Sequence, residues 1–234
     1  MGFRIDKEIF EKFPGLNIGV VIAKGLDNEG SSEEIQGQIA ERAEEIRKVL
    51  DKEGLSQNPK ILAWRQAYSA FGGKPKKNRS SIENLCRLVL SGETPRQINK
   101  LVDIYNLISL KHLLPVGGED LAKVEGNISL AFAGQDEPEV LLLGEKEPRP
   151  PKQGEVIYKD NVSAICRRWN WREADRTKLS EQTKDCILVL EGLPPTAGKE
   201  VEVATNELNE LVQKHCGATT STAILNSEKQ EIEF

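Results

Sequence analysis

The sequence predicts an α/β fold with mixed sheets covered by helices, folded as a single compact unit over residues 1–234. Three observations predict it. Short β-branched runs alternate with stretches of helical apolar spacing. No Pro- or Ser-rich linker divides the chain. With 234 residues and 38% hydrophobic content, the chain can bury one sizeable core, with room for a small appendage.

Leu16 to Lys24, LNIGVVIAK, is a β-branched run bounded by Gly15 and Gly25, the mark of a buried strand. Ser31-Ser32 then opens a helix that sets Ile35, Ile39, Ala43, Ile46 and Leu50 on one face. Pro59 starts a second helix bearing Trp64, Arg65 and Tyr68. Ser80 with Glu83 forms a capping box before Leu85, Cys86, Val89 and Leu90. Strands are expected near Ile128 to Ala133, Val140 to Leu143, Glu155 to Tyr158, Val162 to Cys166 and Cys186 to Leu190. EKEPRPPKQ, Glu145 to Gln153, reads as an exposed loop. A last helix from about Gly198 to Cys216 carries Val201, Ala204, Leu208, Leu211 and Val212, and Gly217 can end it before a closing strand, Ser221 to Leu225.

The stretch Pro95 to Asp120 is the most informative. Ile98, Leu101, Val102 and Tyr105 fall at i, i+3, i+4 and i+7, with Arg96, Asn99, Asp103 and Asn106 on the flanks. This predicts a helix from about Pro95, capped by Thr94. Gly117 and Gly118 then predict a turn, by positive φ or by close approach of backbone to a ligand, closed by Glu119 and Asp120. Together with Glu191, at the end of the apolar run CILVLE, these residues outline a pocket for a small polar ligand. Blander roles stand beside this one. Arg96 can neutralise Glu93 or Asp103, Asn106 can bond backbone, Glu191 can meet water at a strand end, and the glycines can be turn chemistry alone. His112 and His215 read as surface or core histidines.

A formal net charge of −5 gives no general attraction to phosphate, so RNA contact requires a local basic patch. Lys74, Lys76, Lys77 and Arg79 in GGKPKKNR offer one, with a solvated loop as the alternative. Arg167, Arg168, Arg172 and Arg176 around Trp169 and Trp171 offer another, with guanidinium forks for phosphate and indole faces for a base or an aromatic side chain. No apolar run approaches the roughly 20 residues that span a bilayer. The N-terminal MGFRIDKEIFEKF is too charged for a signal peptide, so a cytoplasmic location is expected, with neither membrane nor DNA as partner. Cys86, Cys166, Cys186 and Cys216 are widely spaced and read as reduced, mostly buried thiols. No metal site or cofactor is expected.

The run from Pro95 resembles the editing domain of the phenylalanyl-tRNA synthetase beta subunit, through Arg96, Ile98-Asn99, Val102-Asp103, Asn106 and Asp120. The segment GEVIYKDNVSAICRRWNWREADRTKLSEQTKDCILVLE is similar to that domain's second signature, and Glu191 matches its terminal Glu. The resemblance covers Lys60 to Leu193 and is strongest to free-standing relatives that carry the domain without the synthetase. It implies an editing-domain-like module that binds tRNA or aminoacyl-tRNA and an amino-acid-like ligand and hydrolyses mischarged aminoacyl-tRNA in trans. It further implies catalytic roles for Asn106, holding a water, and Glu191, reading a side-chain hydroxyl or orienting that water. The terminal ribose hydroxyl would serve as an internal base. Arg96, Tyr105, Gly117, Gly118, Glu191, Trp169 and Trp171 would form the substrate site. Three departures shift weight from deacylation toward recognition: Gly117 stands where the family has a His, Tyr105 replaces a Thr, and Trp169-Asn170-Trp171 replaces a small Ala-Gly turn. A non-catalytic amino-acid or metabolite binding module is the alternative, and an interaction domain with a flat apolar face is a third.

Overall fold

The computed structural model describes residues 1–234. Strands and helices are numbered along the chain. Four strands form one antiparallel sheet in the order Val116–Asp120 (β3), Cys186–Gly192 (β8), Asn17–Lys24 (β2) and Thr219–Leu225 (β9). Six form the other, in the order Glu231–Glu233 (β10), Gly2–Ile5 (β1), Ile128–Phe132 (β4), Val156–Lys159 (β5), Ala164–Arg167 (β6) and Arg172–Glu173 (β7). In that sheet only β1 and β4 run parallel. The helices are Lys7–Lys12 (α1), Glu33–Val49 (α2), Pro59–Ala70 (α3), Ser81–Val89 (α4), Lys100–His112 (α5) and Gly198–Cys216 (α6).

The β8 sequence has two apolar faces, as burial on both sides demands. On one face α6 lies so close that a Cβ added to Gly19 would fall 1.8 Å from Thr205 Oγ1. The other face, bearing Ile187, Val189 and Glu191, looks across to the six-stranded sheet. One continuous core runs through both sheets and the helices, and a smaller cluster of Ala133, Val140, Leu142, Ile157, Ala164 and Ala174 packs separately. All four cysteines are free and buried. No helix is long and apolar enough to cross a membrane.

Where α5 begins, the structure corrects the expectation. The helix starts at Lys100, not near Pro95, because Asn99 is the stronger cap: its side chain accepts from Val102 N at 3.0 Å, and Asn28 accepts from Leu101 N at 2.8 Å. Asp103 accepts from Ile98 N, which holds the lead-in extended and leaves Ile98 55% exposed instead of in the buried stripe. Gly117 and Gly118 are in strand β3, not in a turn. The reversal occurs earlier, at Leu113, whose φ is 54°. Gly118 is required by close packing, since a Cβ there would lie 2.4 Å from Leu188 Cδ2 and 2.8 Å from the Ile187 carbonyl. Val140 to Leu143 makes only isolated bridges, Val140 with Arg149 and Leu142 with Ala174. The charged N-terminal run, not assigned to any element from sequence, forms β1 and α1.

Candidate functional site

A cavity of about 420 Å³ opens between the two sheets, within the usual range for small-ligand sites. Its floor is the inward face of β8 and β3, its opposite wall Phe3, Tyr158 and Cys166, and its rim α4 and α5 with Asn84 and Asn106. The β6–β7 hairpin closes one side. Its residues Arg168 and Trp169 have φ of 47° and 65°, a conformation costly for side chains with a Cβ, held in place by the Trp169 N–H donating to the Val156 carbonyl at 2.6 Å.

Period-two alternation on β8 aims Glu191 into this space, 2% exposed. The Tyr158 hydroxyl donates to Glu191 Oε1, and Asn170 Nδ2 donates to Oε2 at 2.6 Å. Asn170 in turn accepts from the Tyr68 hydroxyl at 2.9 Å, so a relay of hydrogen bonds reaches from α3 to the carboxyl. The Trp169 indole N–H approaches the same group without completing a well-aligned bond. Burial outweighs these donors and pushes the Glu191 carboxyl up to about 7. Glu191 therefore does not meet water at a strand end. It can exchange a proton near neutrality while joined to both sheets.

The cavity brings together Tyr105, Asn106, Gly117, Gly118, Trp169, Trp171 and Glu191. Arg96 does not join them. It is exposed in the extended segment before α5, a consequence of the later helix start. Trp169 is fully buried, its ring packed by Phe13 at 4.7 Å and edge-on by Trp64 at 5.0 Å, so it braces the wall and offers no open indole face. Trp171 lies against the guanidinium groups of Arg168 at 4.2 Å and Arg172 at 4.8 Å.

The arginines of this segment are engaged to different degrees. Arg167 is buried and binds Glu155 through Nε at 2.9 Å and Nη2 at 3.0 Å. Arg176 grips Asp160 at 2.8 Å and the Lys123 carbonyl at 2.6 Å. Arg172 pairs with Glu145 at 3.3 Å, and Arg168 donates its backbone N–H to Glu155. The forks of Arg167 and Arg176 are taken up by the fold itself, which sequence clustering cannot distinguish from a phosphate site, whereas the Arg172 side chain stays 40% exposed. Lys74, Lys76 and Lys77, in contrast, are exposed, and Arg79 is half-buried at 3.5 Å from Glu83. Glu83, fully buried, also binds Arg65 at 2.8 Å and Arg87 at 2.9 Å. This cluster carries excess positive charge on α3 and α4 beside the cavity rim.

Sequence reasoning did not find Tyr158, Asn170, Glu119, Cys166 and Glu173 as cavity residues. The alternation of β8 carried the signal for its facing strands, because a polar residue inside an apolar strand requires a buried partner across from it. The profile of the B3/4 domain matches residues 63–217 of the chain, well over half of it. Among solved structures, the chain is similar to the crystal structure of an N-terminal fragment of the phenylalanyl-tRNA synthetase beta-subunit from Pyrococcus horikoshii. The identity is 14% and the TM-score 0.47, over 93% of this chain and 49% of that one. The chain thus spans about half of that fragment's length. No curated protein matches the chain.

Proposed function

Because the chain belongs to the B3/4 domain family, we propose that its inter-sheet cavity receives the aminoacyl end of a tRNA in the cytoplasm and hydrolyses mischarged ester in trans. The observation that carries this reading is the cavity itself, which gathers Asn106 at the rim and Glu191 at the deep end in a space sized for an amino-acid side chain. A side-chain hydroxyl entering that end would exchange hydrogen bonds with Glu191, whose carboxyl can accept or donate near pH 7. Asn106, beside the rim, would hold the attacking water, with the terminal ribose hydroxyl as internal base. The exposed lysines Lys74, Lys76 and Lys77 near the Arg65, Arg79 and Arg87 cluster support an approach of the phosphate backbone from the α3–α4 side.

The test is to charge tRNA with several amino acids, add protein, and follow ester loss against the spontaneous rate. Asn106→Ala is expected to abolish hydrolysis with tRNA binding kept. A double Lys76→Ala, Lys77→Ala change is expected to weaken binding whatever the amino acid. Gly117, in the family's His position, favours a second reading, a non-catalytic module for a free amino acid. If no charged tRNA is hydrolysed and free amino acids raise the melting temperature, that second reading replaces the first.

A further inference from the structure

Two carboxyls in the cavity wall lack what the fold provides for its other buried acids. Glu83 is held by arginines, Glu155 by Arg167 and Asp160 by Arg176, while Glu191 and Asp103 take neutral side-chain donors, Tyr158 with Asn170 and Gln36 respectively. Glu119 on β3 and Glu173 on β7 line the same cavity with no ion pair and no completed side-chain hydrogen bond: Glu119, only 7% exposed, has an Oε2 without a partner, the nearby Thr177 hydroxyl making no well-aligned bond, and Glu173 has only the Gly118 N–H beside it. A buried carboxylate oxygen without a donor costs free energy that a fold does not ordinarily leave uncompensated. Glu173 reaches the strand that bears Glu119, since a Cβ added to Gly117, two residues away on β3, would lie 3.1 Å from Glu173 Oε1, and Glu119 feels the repulsion of Glu173.

We propose that Glu119 and Glu173 form a cation subsite in the cavity wall that takes the protonated primary amine of the ligand. The nearest cations are committed elsewhere: Arg176 to Asp160 and the Lys123 carbonyl, and Arg172 to Glu145 and the Trp171 face. The other titratable groups that face the pair are Tyr105 from α5 and Cys166 from β6, both of which feel the two carboxyls, with Tyr158 from β5 and Asp160 acting at Glu119, and none is a cation. These residues do not form a group of three or more ligands suited to a metal ion, whereas an ammonium, with its three donors, can bridge two carboxyls. In the free protein, burial and mutual repulsion raise Glu119 well above the ordinary carboxyl range, and burial raises Glu173 to about 7, so a proton stands in for the absent cation near neutrality. Entry of an ammonium displaces that proton.

The geometry also orders the ligand. Ile187, paired with Glu119, lies four residues from Glu191 along β8, roughly 13 Å by the rise of a strand. An aminoacyl group with its side chain toward Glu191 leaves its α-ammonium at the pair and its ester toward the rim. This placement rests on the aminoacyl reading of the cavity; the cation subsite itself does not.

The probes are the methyl esters of L-phenylalanine and L-tyrosine, their des-amino counterparts, and phenethylammonium with its isosteric alcohol, titrated by calorimetry at pH 7 in two buffers of different ionisation enthalpy. The wild-type protein is expected to bind the amino esters at least tenfold more tightly than the des-amino esters and to release protons on binding. Glu119→Gln and Glu173→Gln are expected to remove the preference and the proton release, without lowering the melting temperature of the free protein. Equal binding of amino and des-amino esters by the wild type, or a preference that survives both substitutions, overturns the proposal. If no ester binds but phenethylammonium still does, in a manner lost in both variants, the subsite stands and the aminoacyl reading falls. If neither esters nor phenethylammonium bind, the subsite falls.

Discussion

Glu191 couples the chemistry of the cavity to the stability of the fold. Its carboxyl is raised from 4.5 to about 7, so between those pH values the folded state keeps a proton that the unfolded chain has lost. Stability from this group is therefore full below about pH 4.5, declines as pH rises through about 7, and is level above. Glu173 adds a change of the same sign in the same window. The full shift corresponds to about 3 kcal/mol at most for Glu191. Urea unfolding at intervals from pH 5 to 8 should show this decline in the wild type and a shallower one in Glu191→Gln. Glu191→Ala should cost stability as well as recognition, about 2–4 kcal/mol, because it leaves the Tyr158 hydroxyl and the Asn170 amide without their acceptor. The two glycines of β3 should separate in the same assay. Gly118→Ala meets backbone and should cost about 1–3 kcal/mol. Gly117→Ala meets only the end of the Glu173 side chain and should stay within about 1 kcal/mol while disturbing ligand binding.

Among the elements, α3 and α4 depend most on a single side chain. Glu83 receives Arg65 from one helix and Arg87 from its own, so removing it leaves two partly exposed guanidinium groups without their shared acceptor. Glu83→Ala should cost about 1.5–3 kcal/mol, whereas Arg79→Ala, at the more exposed 3.5 Å contact, should cost under about 1 kcal/mol in the same denaturant titration. The helices on either side of this knot were legible in the sequence because cap and stripe agree. Ser32 accepts from Ile35 N, Asn58 from Lys60 N and Ser80 from Glu83 N, each just before an apolar stripe. At α5 they disagreed. Thr94-Pro95 signalled a start, and only the contacts of Asn99 and Asn28 decided against it. The glycine pair of β3 carried a turn signal for the same reason: composition reports that a Cβ is forbidden, but not whether a bend or a neighbouring strand forbids it. Among the cavity residues Glu191 and Asn106 stand out in the sequence by their awkward places in apolar elements, while the Arg167 to Arg176 cluster is ambiguous there, because a guanidinium suits an internal carboxylate, as at Arg167 and Arg176, as well as a phosphate.

On the scale of the whole molecule, the continuous core beneath both sheets predicts one cooperative unfolding transition over residues 1–234. Calorimetric and van't Hoff enthalpies should agree, and two resolved transitions would argue for separate units. Net charge of −5 with few exposed lysines beside the rim predicts a shallow salt dependence of tRNA binding, reflecting only a few neutralised phosphates. A slope equivalent to about eight or more contacts would place the RNA on a different surface.

The pairing of β1 with β10 joins Gly2, Phe3 and Arg4 to Glu233, Ile232 and Glu231. The six-stranded sheet thus gains its outer strand only after the stretch from Asp6 to Gln230 has been synthesised, and at about 5–20 residues per second β1 waits on the ribosome for some tens of seconds with one edge bare. A nascent chain in that state presents a row of unpaired amides and carbonyls to its neighbours on a polysome. The one charge on that edge, Arg4, disfavours in-register pairing between copies of β1 and, once β10 emerges, faces Glu231 across the ladder, so the residue that guards the waiting strand also helps to close the sheet.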